Sequence, residues 1–106
     1  MRIVFDQGAP VPLRNRLVGH EISTAYELAW STLQNGELLS AAETAGYALL
    51  LTTDQKLKYQ QNLVGRRVSI VVLLSTSWPR IQKHVDAILA AISRASPGSY
   101  EEVPIP

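Results

Sequence analysis

The stretch of sequence that decides the fold is residues 68–74 (VSIVVLL), read together with residues 47–51 (YALLL). Both runs are almost wholly apolar and are bounded by polar residues, which is typical of strands buried on both faces. Residues 2–5 (RIVF) form a similar run that stops at the polar turn of residues 6–8. Because helical segments separate these runs, the sequence predicts an α/β fold with a short, mostly parallel sheet covered on both faces.

The helical segments are marked by capping residues and by apolar residues that share one face. The clearest helix begins at Asn35 and is closed by Gly46. A second helix begins at Trp78 and extends to Arg94. Shorter helical pieces are predicted over 13–18, 24–30 and 55–64, and a further strand near 20–23. Residues 96–106 are rich in proline and are predicted to form an irregular C-terminal tail.

The composition limits the class of protein. With 106 residues, of which 46% are hydrophobic and 18% charged, the chain is expected to form one domain with a real core. It contains no cysteine, which excludes disulfides, thiolate zinc sites and cysteine nucleophiles and is typical of a cytoplasmic protein. The apolar runs are far shorter than the roughly 18 residues of a membrane span. Asp6 comes too early for a signal peptide, and the glycine motifs of serine hydrolases and phosphate loops are absent.

The net charge of +1 hides an uneven distribution along the chain. Residues 55–84 contain no acidic residue, and their basic residues are Lys56, Lys58, Arg66, Arg67, Arg80 and Lys83. Such a block either forms a basic surface that attracts polyanions or is simply a solvated face.

The chain has only three aspartates, and two of them, Asp6 and Asp54, follow strand-like runs. In open parallel sheets, ligands bind beyond the carboxyl ends of the strands. We expect the two strands to be neighbours, in a strand order near 2-1-3-4, so that both carboxylates could share one Mg²⁺ or Mn²⁺ ion. The same residues can also serve only as turn formers or caps.

Glu37 lies in the first turn of the helix that begins at Asn35, and it is the natural third acid for such a cluster. The helix dipole alone also favours an acid at this position. His20 and His84 lie away from this edge in the predicted arrangement, and we expect structural or solvent-exposed roles for both.

A polar segment near Asp54 combines positive charge with hydrogen-bonding and aromatic side chains. Tyr59, Gln60, Gln61 and Asn62 follow Lys56 and Lys58. Single-stranded RNA is commonly held by this mixture, although an amphipathic surface helix uses the same residues.

Four segments resemble the small PIN-like family, whose members are stripped-down relatives of VapC toxin ribonucleases. The segments are residues 3–7 (IVFDQ), 19–22 (GHEI), 35–39 (NGELL) and 51–54 (LTTD). The resemblance covers about residues 1–75, and its most specific parts are the strand that ends in Asp6 and the Thr-Thr-Asp triplet. It implies a three-layer α/β/α sandwich, a carboxylate cluster for Mg²⁺ or Mn²⁺, and cleavage of single-stranded RNA by one member of a toxin–antitoxin pair.

The leading hypothesis is therefore a metal-dependent endoribonuclease. Its metal-binding and catalytic residues would be Asp6, Glu37 and Asp54. Its substrate contacts would be Gln7, Asn35, Lys56, Lys58, Tyr59, Arg66 and Arg67. The expected partners are single-stranded RNA, an antitoxin protein and, in a homodimer, a second copy of the chain.

Two positions depart from the family pattern. Lys56 stands where the family usually has a second aspartate, and Asn35 stands where it often has an aspartate. Glu37 is expected to substitute at the second of these positions. Lys56 either neutralises the carboxylates in place of a metal or contacts phosphate. The alternative hypothesis is a catalytically inactive PIN-like module that binds RNA or a protein partner in the same cleft.

Overall fold

A five-stranded, all-parallel sheet forms the centre of the protein. The computed structural model describes residues 1–60 and 62–106. Its strands are β1 (Arg2–Phe5), β2 (Glu21–Thr24), β3 (Leu49–Thr52), β4 (Ser69–Leu73) and β5 (Tyr100–Val103). Their order across the sheet is β2-β1-β3-β4-β5, and every neighbouring pair is parallel. The predicted α/β class and the predicted order of the first four strands are confirmed.

Helices connect the strands and cover the sheet. They are a 3-10 helix over Val11–Arg16, α1 (Asn35–Thr44), α2 (Leu57–Gln60), α3 (Trp78–Ile81), a 3-10 turn over Gln82–His84, and α4 (Val85–Arg94). The predicted helix from Trp78 to Arg94 is thus interrupted by one tighter turn. None of the helices in the described ranges is long and apolar enough to cross a membrane.

The helical piece predicted over residues 24–30 is instead a series of hydrogen-bonded turns. Thr24 and Glu27 form a reciprocal cap, in which each side chain accepts a hydrogen bond from the other residue's amide. The turns end at Ala29, whose φ of 61° cannot continue a right-handed helix. Residues 24–30 therefore form turns rather than a continuous helix, and the chain then changes direction and leads to α1.

The three central strands are buried on both faces, as the apolar runs predict. Because side chains alternate along a strand, Ile3 and Phe5 of β1 contribute to the core on one face, whereas Val4 contributes to the core on the other. The first core includes the apolar side of α4, with Ile88 and Ile92. The second core is completed by α1 through Leu38, Leu39 and Ala42. Two apolar layers thus enclose the sheet, in agreement with a three-layer sandwich.

The prediction of an irregular tail over residues 96–106 is wrong, because β5 lies within it. A turn at Gly98, with a φ of +78°, directs the chain into β5, which runs parallel to β4. In this pair Ile70 lies opposite Tyr100. A Cβ at Gly98 would lie 2.5 Å from the carbonyl oxygen of Arg66, so only glycine fits this close approach. The sequence of β5 (YEEV) carries little apolar signal because an edge strand needs only one buried face.

Candidate functional site

Asp6 and Asp54 lie at the carboxyl ends of adjacent strands, as predicted. Phe5 of β1 pairs with Leu51 of β3, so the segments that follow these two strands leave the sheet side by side. The Asp6 amide continues the pairing by donating to the Leu51 carbonyl at 3.1 Å. The fold therefore brings both aspartates to one edge of the sheet, where ligands of such folds bind.

The hydroxyl of Thr52 links the two aspartates. This side chain is fully buried at the end of β3. Its Oγ1 donates to Oδ2 of Asp6 and accepts a hydrogen bond from the Asp54 amide at 3.0 Å. Both aspartates are thus oriented by one residue of the strand rather than by loop contacts alone.

The Asp6 carboxylate lies in a partly desolvated turn. Burial raises its pKa, and the nearby charge of Asp54 adds to this effect, while hydrogen bonds from Thr52 and from the Gly8 amide at 2.9 Å oppose it without cancelling it. Gly8 is required for the tightness of the turn, since a Cβ there would lie 2.3 Å from Oγ1 of Thr53. A positively charged ligand would favour the ionised form of Asp6.

The Asp54 carboxylate is held by two donors. Oδ1 accepts a hydrogen bond from the Lys56 amide at 2.9 Å, and Oδ2 accepts one from Nδ2 of Asn35 at 2.8 Å. Asn35 is the first residue of α1, so the start of this helix belongs to the site. The predicted substrate residue Asn35 is therefore placed beside the predicted acid Asp54.

Glu37 does not join the two aspartates. Its carboxylate accepts a hydrogen bond from the Gln34 amide at 3.0 Å and completes the capping box at the start of α1. Within the described ranges, no three histidine or acidic side chains form a group that could hold a metal ion. The predicted cluster of three carboxylates is thus reduced to a pair, because the helix end uses the third.

Two acids still suit a hard divalent cation. A carboxylate offers about four lone-pair positions, so the two hydrogen bonds described for each aspartate leave room for a further ligand. Mg²⁺ is often held by one or two carboxylates, with water and substrate phosphate completing its coordination. Asp6 and Asp54 have the oxygen chemistry that Mg²⁺ or Mn²⁺ requires.

Two of the predicted RNA contacts are bound within the protein. Arg66 donates to Glu43 at 2.9 Å and to Ser40 at 2.9 Å, and both members of this ion pair are mostly buried. Lys58 forms an ion pair with Glu102 at 3.2 Å. These two cations therefore have structural partners.

Other predicted RNA contacts remain exposed. Lys56 is exposed, and its ammonium forms no ion pair with any carboxylate of the described residues. Arg67 and Asn62 are exposed, and the ring of Tyr59 is 79% exposed. Gln61 and the side chain of Gln60 lie outside the described part of the chain.

A cleft of about 450 Å³ opens beside Asp6, between the Val11–Arg16 helix and the turn after β2. The exposed ring of Tyr26 lines it, and sequence reasoning missed this residue. Gln7 lines the same cleft and donates to the Ser31 carbonyl at 3.1 Å. The spacing of Thr24 and Glu27, which is that of a capping box, is the signal that could have revealed the turn carrying Tyr26.

Comparisons with known proteins give no assignment. The chain matches no protein-family model, no curated protein and no solved structure.

Proposed function

We propose that the protein is a PIN-like, metal-dependent endoribonuclease that hydrolyses single-stranded RNA in the cytoplasm and is the toxin of a toxin–antitoxin pair. The observation that carries this proposal is the convergence of Asp6 and Asp54 on adjacent strand ends, with Thr52 linking them. The resemblance to PIN-like proteins supplies the type of reaction and the substrate.

In this proposal each residue of the site has a distinct role. Asp6 and Asp54 hold Mg²⁺ or Mn²⁺, and Asn35 keeps the Asp54 carboxylate in place through its amide hydrogen bond. Thr52 fixes the orientation of both acids. Lys56, which is exposed beside Asp54, contacts the RNA phosphates. The chemistry that a divalent cation supplies when bound at such a site is neutralisation of phosphate charge and a lowered pKa of coordinated water.

A second candidate function is a PIN-like module that binds RNA or a protein partner without catalysis. Two observations favour it. Glu37 is occupied at the helix end, which leaves two acids, and Lys56 adds a positive charge beside them. Both features weaken the attraction of the site for a cation relative to a cluster of three or four carboxylates.

The test is cleavage of single-stranded RNA by the purified protein with Mg²⁺, with Mn²⁺ and with EDTA. We expect cleavage only with a divalent cation, and a loss on the order of 100-fold or more in Asp6→Asn, because that variant removes a charge at the reacting centre. Asp86→Asn is the matched control, since Asp86 is exposed on α4 and does not line the pockets that contain Asp6. Cleavage that survives EDTA or Asp6→Asn would contradict the proposal.

Metal binding separates the two candidate functions. For the nuclease, calorimetry should detect Mn²⁺ binding to the wild type and clearly weaker binding to both Asp6→Asn and Asp54→Asn. RNA binding without cleavage and without Mn²⁺ binding would instead favour the non-catalytic module.

A further inference from the structure

The cleft beside Asp6 is larger and more apolar than the coordination of a cation requires. Its volume of about 450 Å³ lies within the range of roughly 300–1,000 Å³ typical of small-molecule sites. Ala9, Val11 and Ala25 supply the apolar wall of the cleft, and Asp6 lies at its edge, so an occupant would be next to the Asp6 carboxylate. A group in this cleft would therefore lie beside a phosphodiester held at Asp6.

The ring of Tyr26 is exposed on a rigid support. It is 80% exposed, although the residues on both sides of it are fixed. The Ala25 amide donates to the Phe5 carbonyl at 2.8 Å, and the reciprocal cap between Thr24 and Glu27 closes the turn. An aromatic ring held in this way is a preorganised surface for stacking and loses little backbone entropy when it binds.

Among the described residues that line the cleft, no cation lacks an ion-pair partner, although the buried Nε of Arg14 has no hydrogen-bond partner. The one basic residue of the cleft, Arg14, forms a two-pronged ion pair with Glu27. The hydrogen bonds from Arg14 lower the pKa of Glu27 to about 2, so the pair is ionised and internally neutral. The remaining charge at the cleft is the carboxylate of Asp6, which repels phosphate. The chemistry of the cleft therefore suits a flat, uncharged and largely apolar group.

We propose that this cleft is a subsite for one unpaired nucleobase of the RNA strand, which stacks on Tyr26 while the adjoining phosphodiester lies at Asp6 and Asp54. The proposal rests on the proposed function for the choice of RNA. It adds a specificity element that the two acids cannot provide, because base stacking requires an unstacked, single-stranded nucleotide.

The test is a double-mutant cycle between the ring and the base. The probe is a fluorescein-labelled single-stranded oligouridylate, used intact and with a single abasic nucleotide at each position in turn. Binding is measured by fluorescence anisotropy with Ca²⁺ present, so that a divalent cation neutralises Asp6 and Asp54, and gel electrophoresis after each titration checks that the probe is intact. We expect Tyr26→Ala to weaken binding of the intact probe by at least about fivefold, and Tyr26→Phe to leave it nearly unchanged. For one abasic position, Tyr26→Ala should cause no further loss.

Tyr59→Ala is the matched control, because Tyr59 is a ring of the same size and similar exposure that does not line the cleft. Tyr59 is itself a predicted RNA contact, so Tyr59→Ala can weaken binding of the intact probe, but it should show no coupling to the abasic position that couples to Tyr26.

Equal loss for intact and abasic probes in Tyr26→Ala would overturn the subsite, and so would the absence of RNA binding by the wild type. Cleavage that depends on Asp6 without coupling to Tyr26 would leave the nuclease and remove the subsite. Coupling between Tyr26 and the base without any cleavage would keep the subsite and rule out the nuclease.

Discussion

Lys56 is the exposed cation nearest in sequence to Asp54, and its ammonium has no ion-pair partner among the described carboxylates. If it contacts one phosphate, Lys56→Gln should weaken binding of single-stranded RNA. The slope of log K against log salt should also become shallower by about 0.7, the value for one neutralised phosphate on a single strand. Binding titrations at several salt concentrations measure both effects.

Lys83→Gln is the control for this substitution, because Lys83 is exposed on the 3-10 turn before α4 and lies outside the candidate site. It should leave the salt slope close to that of the wild type. If Lys56→Gln and Lys83→Gln both had the salt slope of the wild type, Lys56 would be an ordinary surface residue.

Residue patterns predict part of this site and miss part of it. Asp6 and Asp54 could be predicted because the ends of parallel strands meet at one edge whatever the loops do. The role of Glu37 could not be predicted, since its position on α1 suits a metal ligand and a helix cap equally. In the structure it caps the helix. Tyr26 was missed because its exposure depends on the turn that ends at Ala29, and a backbone with positive φ at a non-glycine residue has little sequence signal.

At the scale of elements, Glu43 joins α1 to the segment that enters β4. Burial alone would raise the pKa of Glu43, but hydrogen bonds from the Arg67 amide, the Arg66 guanidinium and the Val68 amide lower it below its ordinary value of 4.5. A lowered pKa in the folded state means that the ionised carboxylate stabilises the fold above pH 4.5. This contribution is lost as the pH falls through the lowered pKa.

Glu43→Gln should therefore reduce the free energy of unfolding by about 1–3 kcal/mol at pH 7. The difference from the wild type should shrink as the pH is lowered below 4.5. Urea denaturation across this pH range measures it. Glu101→Gln is the control, since the pair of Glu101 with Arg94 is more exposed and should contribute little. A difference between wild type and Glu43→Gln that is constant with pH would contradict the assignment.

The C-terminal segment is a structural element of the fold rather than an appendage. Ile105 follows β5 and is only 6% exposed, within the core that includes α4. Ile105→Ala should lower the free energy of unfolding by about 2–5 kcal/mol, and Ile105→Val by about 0.5–1.5 kcal/mol. Val64→Ala, at a side chain that is 89% exposed, should change it by less than about 0.5 kcal/mol. Urea denaturation of the three variants would refute the core role of Ile105 if they proved equally stable.

The apolar strands β1, β3 and β4 could be predicted from sequence. Each is buried on both faces, so nearly all of its residues are apolar. The strand β5 could not be predicted, since it pairs on one side only and Glu101 and Glu102 dominate its sequence. The position of β5 depends on the turn at Gly98 and on pairing with β4. Both are features of the tertiary structure that the local sequence does not reveal. The apolar periodicity of Ile81, Val85, Ile88 and Ile92 gave the helical segment that follows Trp78, but not the tighter turn within it.

For the whole molecule, the two cores take alternate residues of the same central strands and should therefore unfold together. The chain has two tryptophans, and each packs against a different core: Trp30 against the core with α1, and Trp78 against the core with α4. Trp78→Phe leaves Trp30 as a fluorescence probe of the core with α1, and Trp30→Phe leaves Trp78 as a probe of the core with α4. In urea, each variant's fluorescence transition should coincide with its own far-ultraviolet circular dichroism transition. Fluorescence that changed well before circular dichroism in either variant would show that one layer can melt alone.

The acidic edge strand also bears on aggregation. All five residues of β4 are buried, and without β5 this apolar strand would form the border of the sheet with its backbone groups unpaired. Such a border is a template on which strands of other chains can add. The strand that covers it carries Glu101 and Glu102 in ion pairs with Arg94 and Lys58, and such charged side chains on an edge strand disfavour the addition of another strand. Loss of the last seven residues would therefore convert a well-behaved chain into one prone to form intermolecular sheets, even where the remaining fold survived.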